Sequence, residues 1–275
     1  KIPKVSNISG LGYGLGEQST GIVSFFTWKM LESSMRLGKL KHFIFQNKDD
    51  LELFKQKGLL SQYLVIPSNG FQSAPQLVEN YSLIKGVGID LNDFEFVNPI
   101  HKLKIEIVFL GRLLKDKGIL EFAEAARILA KEYFGKVVFK MYGGLDLENK
   151  MGINELEIQS LEIPGFLIWE GYTNDVAKAY AQADIVVFPS YREGLPKSLI
   201  EAAAIGRPII TTDVPGCKEC VVSGYNGFLV PVKDSKALSV AIAQLIENEE
   251  YRFQMGLNSR VYCEKNFNVS DVIAS

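Results

Sequence analysis

Residues 185–213 read IVVFPSYREGLPKSLIEAAAIGRPIITTD, and this stretch decides the fold class of the chain. Its first part, IVVFPS, is apolar and rich in β-branched residues, which favours a buried strand. The residues that follow have the composition of a helix that ends at Gly206, and PIITTD at 208–213 predicts a second strand. A strand, a helix and a second strand joined by short connections form the unit from which parallel sheets are built.

The same alternation extends outward from this stretch, starting near residue 103. Apolar runs that predict strands alternate with amphipathic patterns that predict helices, which indicates an α/β fold with a doubly wound parallel sheet. A polar loop with short helical character follows the predicted strand at 137–144 and continues to about residue 162. The further predicted strands are 105–111, 137–144, 166–171 and 227–231, and the further predicted helices are 115–133, 174–183 and a pair within 235–266.

The first 95 residues show the same pattern at about half the length of a domain. VSNIS, FIFQN and YLVIP predict strands, and helices are predicted over about 19–37 and 48–57. A doubly wound domain usually has about five or six strands. Residues 68–94 are rich in loop-forming residues and are interpreted as an insertion before a linker. We therefore predict two Rossmann-like domains, residues 1–95, only partly present, and residues 96–275.

The composition is that of a soluble globular protein, with 47% hydrophobic and 23% charged residues. The 30 basic residues nearly balance the 32 acidic ones, so no overall field favours nucleic acid as a partner. No run reaches the roughly 18 apolar residues that suggest a membrane-spanning helix. The opening KIPKVSNISG has neither an initiating Met nor a signal-peptide pattern, so we expect the chain to begin inside a longer protein.

The cysteines and histidines give little support for redox or metal chemistry. Cys217, Cys220 and Cys263 are an odd number, which favours a reducing compartment. Cys217 and Cys220 form a C-x-x-C pattern, but no second pair completes a zinc site and the pattern does not open a helix after a first strand. The two histidines, His42 and His101, are far apart in the sequence.

Residues 25–41, FFTWKMLESSMRLGKLK, interleave aromatic side chains with basic ones. One interpretation is a face that lies on a membrane surface, where Phe25, Phe26 and Trp28 supply apolar contact. The alternative is an ordinary amphipathic helix with a solvated basic side.

Ligands of an open parallel sheet bind beyond the carboxyl ends of the strands, and GRLLKDKG at 111–118 follows such a predicted end. Gly111 allows a ligand to approach the backbone closely. The guanidinium of Arg112 and the ammonium of Lys117 suit a diphosphate. A solvated basic turn is the alternative, and the stretch lacks the residue order of a P-loop.

A second set of polar groups follows the predicted strand 185–190. Glu193 and Gly194 lie in a turn, and Pro196 lies near the start of a helix whose free N–H groups can bind an anion. With Glu201 inside that helix, two carboxylates can accept hydrogen bonds from two hydroxyl-bearing groups of one ligand. The alternative is that Glu193 complements the helix dipole and Glu201 is a surface residue.

Four stretches together resemble the donor domain of the family-4 retaining glycosyltransferases, which have the two-domain GT-B architecture. The likeness covers roughly residues 103–266, and residues 1–95 resemble the end of the acceptor-side domain. Within the family, the chain is similar to bacterial enzymes that extend sugars on undecaprenyl diphosphate, such as N-acetylgalactosaminyltransferases. The four stretches are GRLLKDKG (111–118), GYTNDV (171–176), FPSYREGLPKSLIEAAAIGRPIITTDVPGCKECV (188–221) and NGFLVPVKD (226–234).

The resemblance implies a role for each matched residue. Arg112 and Lys117 would hold the donor diphosphate, and Glu193 would face hydroxyl groups of the transferred sugar. These three are the implied catalytic residues. Glu201 would hold the ribose hydroxyl groups. The other implied donor-binding residues are Gly111, Gly194, Leu195 and Pro196, and Gly171 and Tyr172 in a loop beside the base.

The implied reaction moves a hexose or N-acetylhexosamine from a UDP-sugar to a lipid-linked or polysaccharide acceptor, with retention of anomeric configuration. The resemblance implies no cofactor, and the diphosphate would be stabilised by side chains rather than by a metal. In agreement, no D-x-D motif is found, and Asp146–Glu148 is interpreted as part of a solvated loop. The implied location is the cytoplasm, with peripheral contact at the inner face of the membrane as a further expectation.

The early strands and glycine-rich loop of the acceptor domain have no match, so we expect these residues to bind donor and the longer protein to transfer sugar. Two other functions stay open: a GT-B sugar-nucleotide epimerase and a non-catalytic nucleotide-sugar-binding module. A dinucleotide-dependent oxidoreductase has weak support, because GLGYGLG at 10–16 does not complete the G-x-G-x-x-G pattern.

Overall fold

The computed structural model of the chain describes residues 4–8, 22–37, 40–60, 62–65, 76–84 and 88–274. The glycine-rich stretch at 10–16 lies outside these residues. The chain divides into two compact units, Lys1–Gly86 and Val87–Ser275.

The boundary between the units precedes the predicted position between residues 95 and 96. Ile89 already belongs to the second unit, because its side chain is buried in the core of that unit. Its backbone N–H donates to the Phe267 carbonyl over 2.8 Å, and its own carbonyl accepts from the Val269 N–H over 3.0 Å. The end of the segment that was expected to be an insertion before the linker is therefore held against the end of the second unit.

The first unit combines parallel strands with helices. Its described elements are β1 (Lys4–Ile8), α1 (Ile22–Leu37), β2 (Leu40–Phe45), α2 (Lys48–Gln56), β3 (Gln62–Val65), β4 (Gln76–Glu79) and β5 (Tyr81–Leu83). The strand order of the parallel sheet is β1–β2–β5, and β3 pairs with β4 in an antiparallel hairpin. Phe45 and Phe54 are fully buried in its core, with ring centroids 4.9 Å apart.

The sequence predicted YLVIP as a strand without indicating its partner. The strand β3 overlaps this stretch and pairs with β4. The third strand of the parallel sheet is β5, which lies within the segment expected to be an insertion of loops. Phe43 and Phe45 stand opposite Tyr81 and Leu83 in the sheet, so β5 extends the apolar surface of β2.

The second unit has the predicted alternation of strands and helices, and the elements lie close to the expected positions. One further helix, α9, follows the predicted pair at the end. The described elements are β6 (Ile105–Leu110), α3 (Ile119–Tyr133), β7 (Val137–Tyr142), α4 (Glu155–Leu161), β8 (Leu167–Gly171), α5 (Val176–Gln182), β9 (Ile185–Phe188), α6 (Lys197–Ile205), β10 (Ile209–Thr212), β11 (Gly227–Val230), α7 (Ser235–Glu247), α8 (Glu249–Phe267) and α9 (Val269–Ala274).

The described strands of this unit form one parallel sheet in the order β11–β10–β9–β6–β7–β8. The chain runs from β6 outward to β8, and then returns to the other side of β6 at β9. The strand order therefore reverses between β6 and β9, and this is where a doubly wound sheet opens a crevice for ligands. Every residue of β9 is buried, as expected for a central strand covered on both faces.

Aromatic side chains fill the core of the second unit beneath this crevice. Phe109 of β6, Phe122 of α3, Phe139 of β7 and Phe166 are all fully buried. Neighbouring rings in this row lie with centroids 5.7, 5.4 and 5.2 Å apart. The helix α3 is therefore packed tightly against the sheet, and the loop that leads from β6 into α3 is attached to this core.

Candidate active site

The loops after β6 and β9 meet at the reversal of strand order. A short 3-10 helix, Lys115–Lys117, follows β6, and Gly118 joins it to α3 with φ of 76°. A Cβ atom on Gly118 would lie 2.1 Å from the Pro189 carbonyl oxygen in the loop after β9. Only glycine fits here, both because of its backbone angle and because the two loops approach so closely.

Lys117 and Glu193 are brought together at this meeting point. The Lys117 Nζ lies 2.5 Å from the Glu193 Oε1, and the two side chains are only 16% and 14% exposed. The hydroxyl of Ser190, which is fully buried, lies 2.7 Å from the same carboxylate oxygen. A cation, a carboxylate and a hydroxyl thus share one largely buried position, and the first two are residues that the sequence predicted for the site.

The backbone of the Glu193 loop is held from two neighbouring loops. The Tyr191 N–H donates to the Asp116 carbonyl over 2.8 Å, and the Glu193 N–H donates to the Pro215 carbonyl over 3.1 Å. Gly216 has φ of 85°, and a Cβ atom there would lie 2.5 Å from the Glu193 carbonyl oxygen. The loops after β6, β9 and β10 therefore pack as one layer along the carboxyl edge of the sheet.

Arg112 extends from the end of β6 and is exposed. Its Nη1 lies 3.3 Å from the Oδ2 of Asp146, which comes from the loop after β7. Asp146 lies in the polar loop that was expected to be solvated, and its side chain keeps 32% exposure while it pairs with the guanidinium. A Cβ atom on Gly111 would lie 2.9 Å from the Phe188 ring, so the backbone at Gly111 lies close against the end of β9.

Glu201 lies inside α6 and is only 8% exposed, which contradicts its interpretation as a surface residue. Lys197 Nζ lies 3.4 Å from its Oε1. Burial raises the pKa of the Glu201 carboxyl, and the nearby ammonium of Lys197 partly opposes this shift. A buried carboxylate benefits from hydrogen-bond donors, so this position favours hydroxyl groups as partners.

The segment between Glu193 and α6 contains the other predicted donor-binding residues of this loop. Gly194 and Pro196 are buried, and Leu195 is half-buried and packs against the main core. Pro196 is the N-cap of α6, one residue before the helix, and it makes no side-chain capping bond. Pairing of the backbone N–H groups of this helix start with an anion stays a prediction.

The predicted base-side residues lie at the end of β8. Gly171 has φ of 79°, and its carbonyl accepts from the Gly143 N–H over 2.9 Å. Tyr172 is exposed, and its ring lies beside Gly144, 3.8 Å from the point where a Cβ atom would be. The Trp169 indole donates to the Gly143 carbonyl over 3.1 Å, which holds the turn after β7 against β8. An exposed ring beside a glycine turn can stack on a planar group.

The cysteines do not form a reactive site. Cys217, Cys220 and Cys263 are free and buried. Burial raises the pKa of both Cys217 and Cys263 to about 12, so these thiols stay protonated at neutral pH. Within the described part of the chain, no group of three or more His, Cys, Asp or Glu side chains is placed to hold a metal ion.

The sequence did not reveal the residues that hold Tyr191, which lies two positions before Glu193 in the same loop. The Tyr191 hydroxyl donates to Glu121 Oε1 over 2.8 Å, and the Lys233 Nζ lies 4.8 Å from the centre of the Tyr191 ring. Glu121 and Lys233 come from α3 and from the loop after β11, far from Tyr191 in the sequence. No local pattern marks such a cluster, because only the order of strands brings its members together.

Comparisons with known proteins agree with this architecture. A family model described as "Glycosyl transferases group 1" matches residues 91–262. The chain is 29% identical over 276 residues to the N,N'-diacetylbacillosaminyl-diphospho-undecaprenol alpha-1,3-N-acetylgalactosaminyltransferase of Campylobacter jejuni, covering 94% of this chain and 65% of the relative. It is 33% identical over 188 residues to the capsular polysaccharide biosynthesis glycosyltransferase CapM of Staphylococcus aureus, covering 66% and 49%.

Solved structures share the fold at low sequence identity. TarM of S. aureus superposes with a TM-score of 0.74 at 18% identity, over 99% of this chain and 49% of that one. Anabaena Alr3699/HepE, solved in complex with UDP, gives a TM-score of 0.73 at 18% identity, over 98% and 70%. These likenesses confirm the expected α/β fold of GT-B type. The chain spans about half to two thirds of the length of the curated relatives it matches.

Proposed function

Because the chain belongs to the group 1 glycosyl transferases, we propose that its protein transfers a sugar from a UDP-sugar to an acceptor. The acceptor is a lipid-linked or polysaccharide intermediate of a bacterial surface glycan, and the product retains the anomeric configuration of the donor. The name of the Campylobacter relative specifies a diphospho-undecaprenol acceptor, and the Anabaena structure contains UDP. Both support this choice of acceptor and donor.

The observation that carries the proposal is the Lys117–Glu193 pair at the reversal of strand order. A nucleotide sugar carries phosphate anions next to sugar hydroxyl groups, so a cation beside a carboxylate complements the bond that breaks in transfer. Lys117 donates to the diphosphate and stabilises the negative charge that develops as it leaves, and Arg112 supplies a second cation from the same loop. Glu193 accepts hydrogen bonds from hydroxyl groups of the transferred sugar.

The nucleoside part of the donor lies along the neighbouring loops. Glu201 accepts hydrogen bonds from the ribose hydroxyl groups, and its burial makes these bonds stronger than they would be in water. Gly171 and Tyr172 lie beside the base. The donor is a substrate, and the proposed chemistry uses no resident cofactor or metal.

We further propose that the protein works in the cytoplasm at the inner face of the membrane. Phe25, Phe26 and Met30 of α1 are 60%, 60% and 73% exposed. Trp28, which was expected to join them, packs instead with its ring centroid 5.6 Å from that of Phe54. Among the described residues, every helix is too short or too polar to span a bilayer. Peripheral contact through the exposed side chains of α1 suits an enzyme with a lipid-linked acceptor.

The test combines a donor screen with an acceptor requirement. The full-length protein is incubated with UDP-glucose, UDP-galactose and their N-acetylated counterparts, with and without undecaprenyl-diphosphate-linked sugar, and UDP release is measured. Release that depends on the acceptor, with a retained linkage in the product, is the expected result. Binding of UDP without release under any condition would indicate a binding module, and an epimerised sugar would indicate an epimerase.

A further inference from the structure

Tyr191 stands two residues before Glu193 and is held at three points. Its N–H donates to the Asp116 carbonyl over 2.8 Å, and its hydroxyl donates to Glu121 Oε1 over 2.8 Å. The Lys233 ammonium lies 4.8 Å from the centre of its ring, which is within cation–π range. The side chain thus joins the loop after β9 to α3 and to the loop after β11.

The bond to Glu121 is difficult to replace. Glu121 Oε2 is buried and makes no hydrogen bond within the described part of the chain, so the Tyr191 hydroxyl is the donor that the structure provides to this carboxylate. Breaking the bond would leave this half-buried carboxylate, whose Oε2 is already unpaired, poorly compensated. Burial and the neighbouring Glu121 raise the pKa of Tyr191, so the hydroxyl keeps its proton and remains a donor. Glu121 lies in the first turn of α3, between the fully buried Ile119 and Phe122.

Lys233 has an unusual backbone conformation for a residue with a side chain. Its φ is 60°, in the left-handed region that favours glycine. Such strain persists where the surroundings require it and is often found near functional sites. The side chain on this strained residue is the one that lies over Tyr191. A glycine would satisfy the backbone but would leave the ring without its cation.

We propose that Tyr191 is a positioning residue that holds Glu193 in place beside Lys117 for its contact with the donor sugar. The inference rests on the proposed function, since it assigns Glu193 to the sugar. The connection is short: Tyr191 anchors the loop backbone, Ser190 on one side contacts the Glu193 carboxylate, and Glu193 follows two residues later. Replacing Tyr191 should therefore slow sugar transfer. The affinity for UDP without an attached sugar should stay unchanged.

The test compares Tyr191→Phe with wild type in the full-length protein, using the UDP-sugar that wild type turns over fastest. We expect kcat to fall about tenfold, because small displacements of a contacting group cost large factors in rate. Affinity for UDP, measured by titration calorimetry, should stay within about twofold. A merely structural role would lower the fraction of active protein and reduce UDP binding and turnover together.

Substitutions of Glu121 provide the matched control. Glu121→Gln keeps an acceptor for the hydroxyl and should retain most of the wild-type kcat. Glu121→Leu removes the acceptor and should reproduce the loss of Tyr191→Phe. Combining Tyr191→Phe with Glu121→Leu should then cause little further loss, because both changes break the same bond.

Lys233→Gly separates positioning from stability. Glycine relieves the strained backbone, so we expect the melting temperature to stay equal or rise. Turnover should nevertheless fall about twofold to fivefold, as expected for loss of an exposed cation–π contact. Lys233→Arg, which keeps a cation over the ring, should retain the wild-type rate.

The outcomes distinguish this inference from the proposed function. If wild type binds UDP and turns over its donor, but kcat and KM are unchanged in Tyr191→Phe, the positioning role alone would be overturned. Full additivity of the Tyr191 and Glu121 changes would overturn it as well. Failure of wild type to bind UDP would overturn the proposed function, and the inference with it.

Discussion

Lys117 and Glu193 form an ion pair between two separate loops, with 2.5 Å between Nζ and Oε1, although they are 76 positions apart in the chain. The pair forms because β6 and β9 are neighbours in the sheet although they are distant in the sequence. Gly118 allows the two loops to touch, and Gly216 allows a third loop to support Glu193. The charge arrangement of the site is therefore a product of strand order and of two glycines.

Replacing Lys117 should weaken UDP binding. We expect Lys117→Ala to cost about 1.5–3 kcal/mol of binding free energy, the range for hydrogen bonds to charged groups. Lys115→Ala is the matched control, since Lys115 lies in the same 3-10 helix but pairs with Glu157 at 3.0 Å. Titration calorimetry with UDP measures both. Equal affinities in the two variants would contradict the role of Lys117.

The two glutamates should have separable effects. Glu201→Gln should weaken UDP and UDP-sugar to the same extent, because both ligands carry the ribose. Glu193→Gln should leave UDP affinity nearly intact and reduce binding or turnover of the UDP-sugar. Calorimetry with each ligand and a UDP-release assay measure these effects. A common loss of UDP affinity in both variants would end this division of roles.

As the pH is lowered, UDP affinity should begin to fall at a higher pH than it would if Glu201 had the pKa of an ordinary glutamate. Burial raises the pKa of Glu201, so its carboxylate takes up a proton earlier as the pH falls, and the protonated form accepts fewer hydrogen bonds. By the same shift, the folded state binds this proton more tightly than the unfolded state. The contribution of Glu201 to stability is therefore present at low pH and is lost as pH rises through the raised pKa.

Calorimetric titrations with UDP between about pH 4 and pH 7 cover the range in which a raised glutamate titrates. Glu201→Gln is the control, because it removes the carboxyl and keeps the titration of UDP itself. A pH dependence that is identical in wild type and Glu201→Gln would show that Glu201 does not contribute.

A methyl group at Gly216 should disturb the site, whereas the same change at Gly135 should not. The two glycines have φ of 85° and 83°, so alanine meets similar backbone strain at both. At Gly216 the Cβ atom would also lie 2.5 Å from the Glu193 carbonyl oxygen, but at Gly135 nothing lies within 4 Å. We expect Gly216→Ala to cost about 1–3 kcal/mol more stability than Gly135→Ala, measured by urea denaturation. Equal losses of stability in the two variants would mean that the loop containing Gly216 can move to accommodate the methyl group without a further loss of stability.

Membrane contact should depend on the exposed aromatic side chains of α1. Replacing Phe25 and Phe26 together by serine should reduce binding to anionic vesicles by about tenfold or more, since each ring loses apolar burial. Leu103→Ser is the control, because Leu103 is 97% exposed and lies in the other unit. Sedimentation with vesicles at low salt is the measurement. Wild-type binding by the double variant would exclude this surface as the contact.

The fold of the second unit could be predicted because its strands and helices have strong local patterns. β9 is a continuous apolar run, and α6 ends at Gly206, which takes φ of 88° as its C-cap. β5 was missed because it has only three residues and its pairing with β2 is decided by distant residues. Short strands carry little periodicity, so their partners depend on tertiary structure.

The sequence indicated which charged residues belong to the site, but not which of them are in contact. The sequence suggested Lys117 and Glu193 as members of one site, but not that they would touch. It placed Asp146 in a solvated loop, but did not indicate that this carboxylate would pair with Arg112. The cation–π contact of Lys233 with Tyr191 has no signal in the sequence, because its members come from separate loops.

Burial of its three cysteines should make the folded chain react very slowly with thiol reagents. Cys217, Cys220 and Cys263 are the only cysteines of the chain, and each is 0% exposed. A maleimide or disulfide probe can therefore reach them only when the second unit opens, so the rate of labelling counts opening events. Because the buried thiols react slowly, a single cysteine placed on the surface can carry a fluorophore with little background labelling. Ligand-induced protection can then be followed without removing any natural residue of the chain.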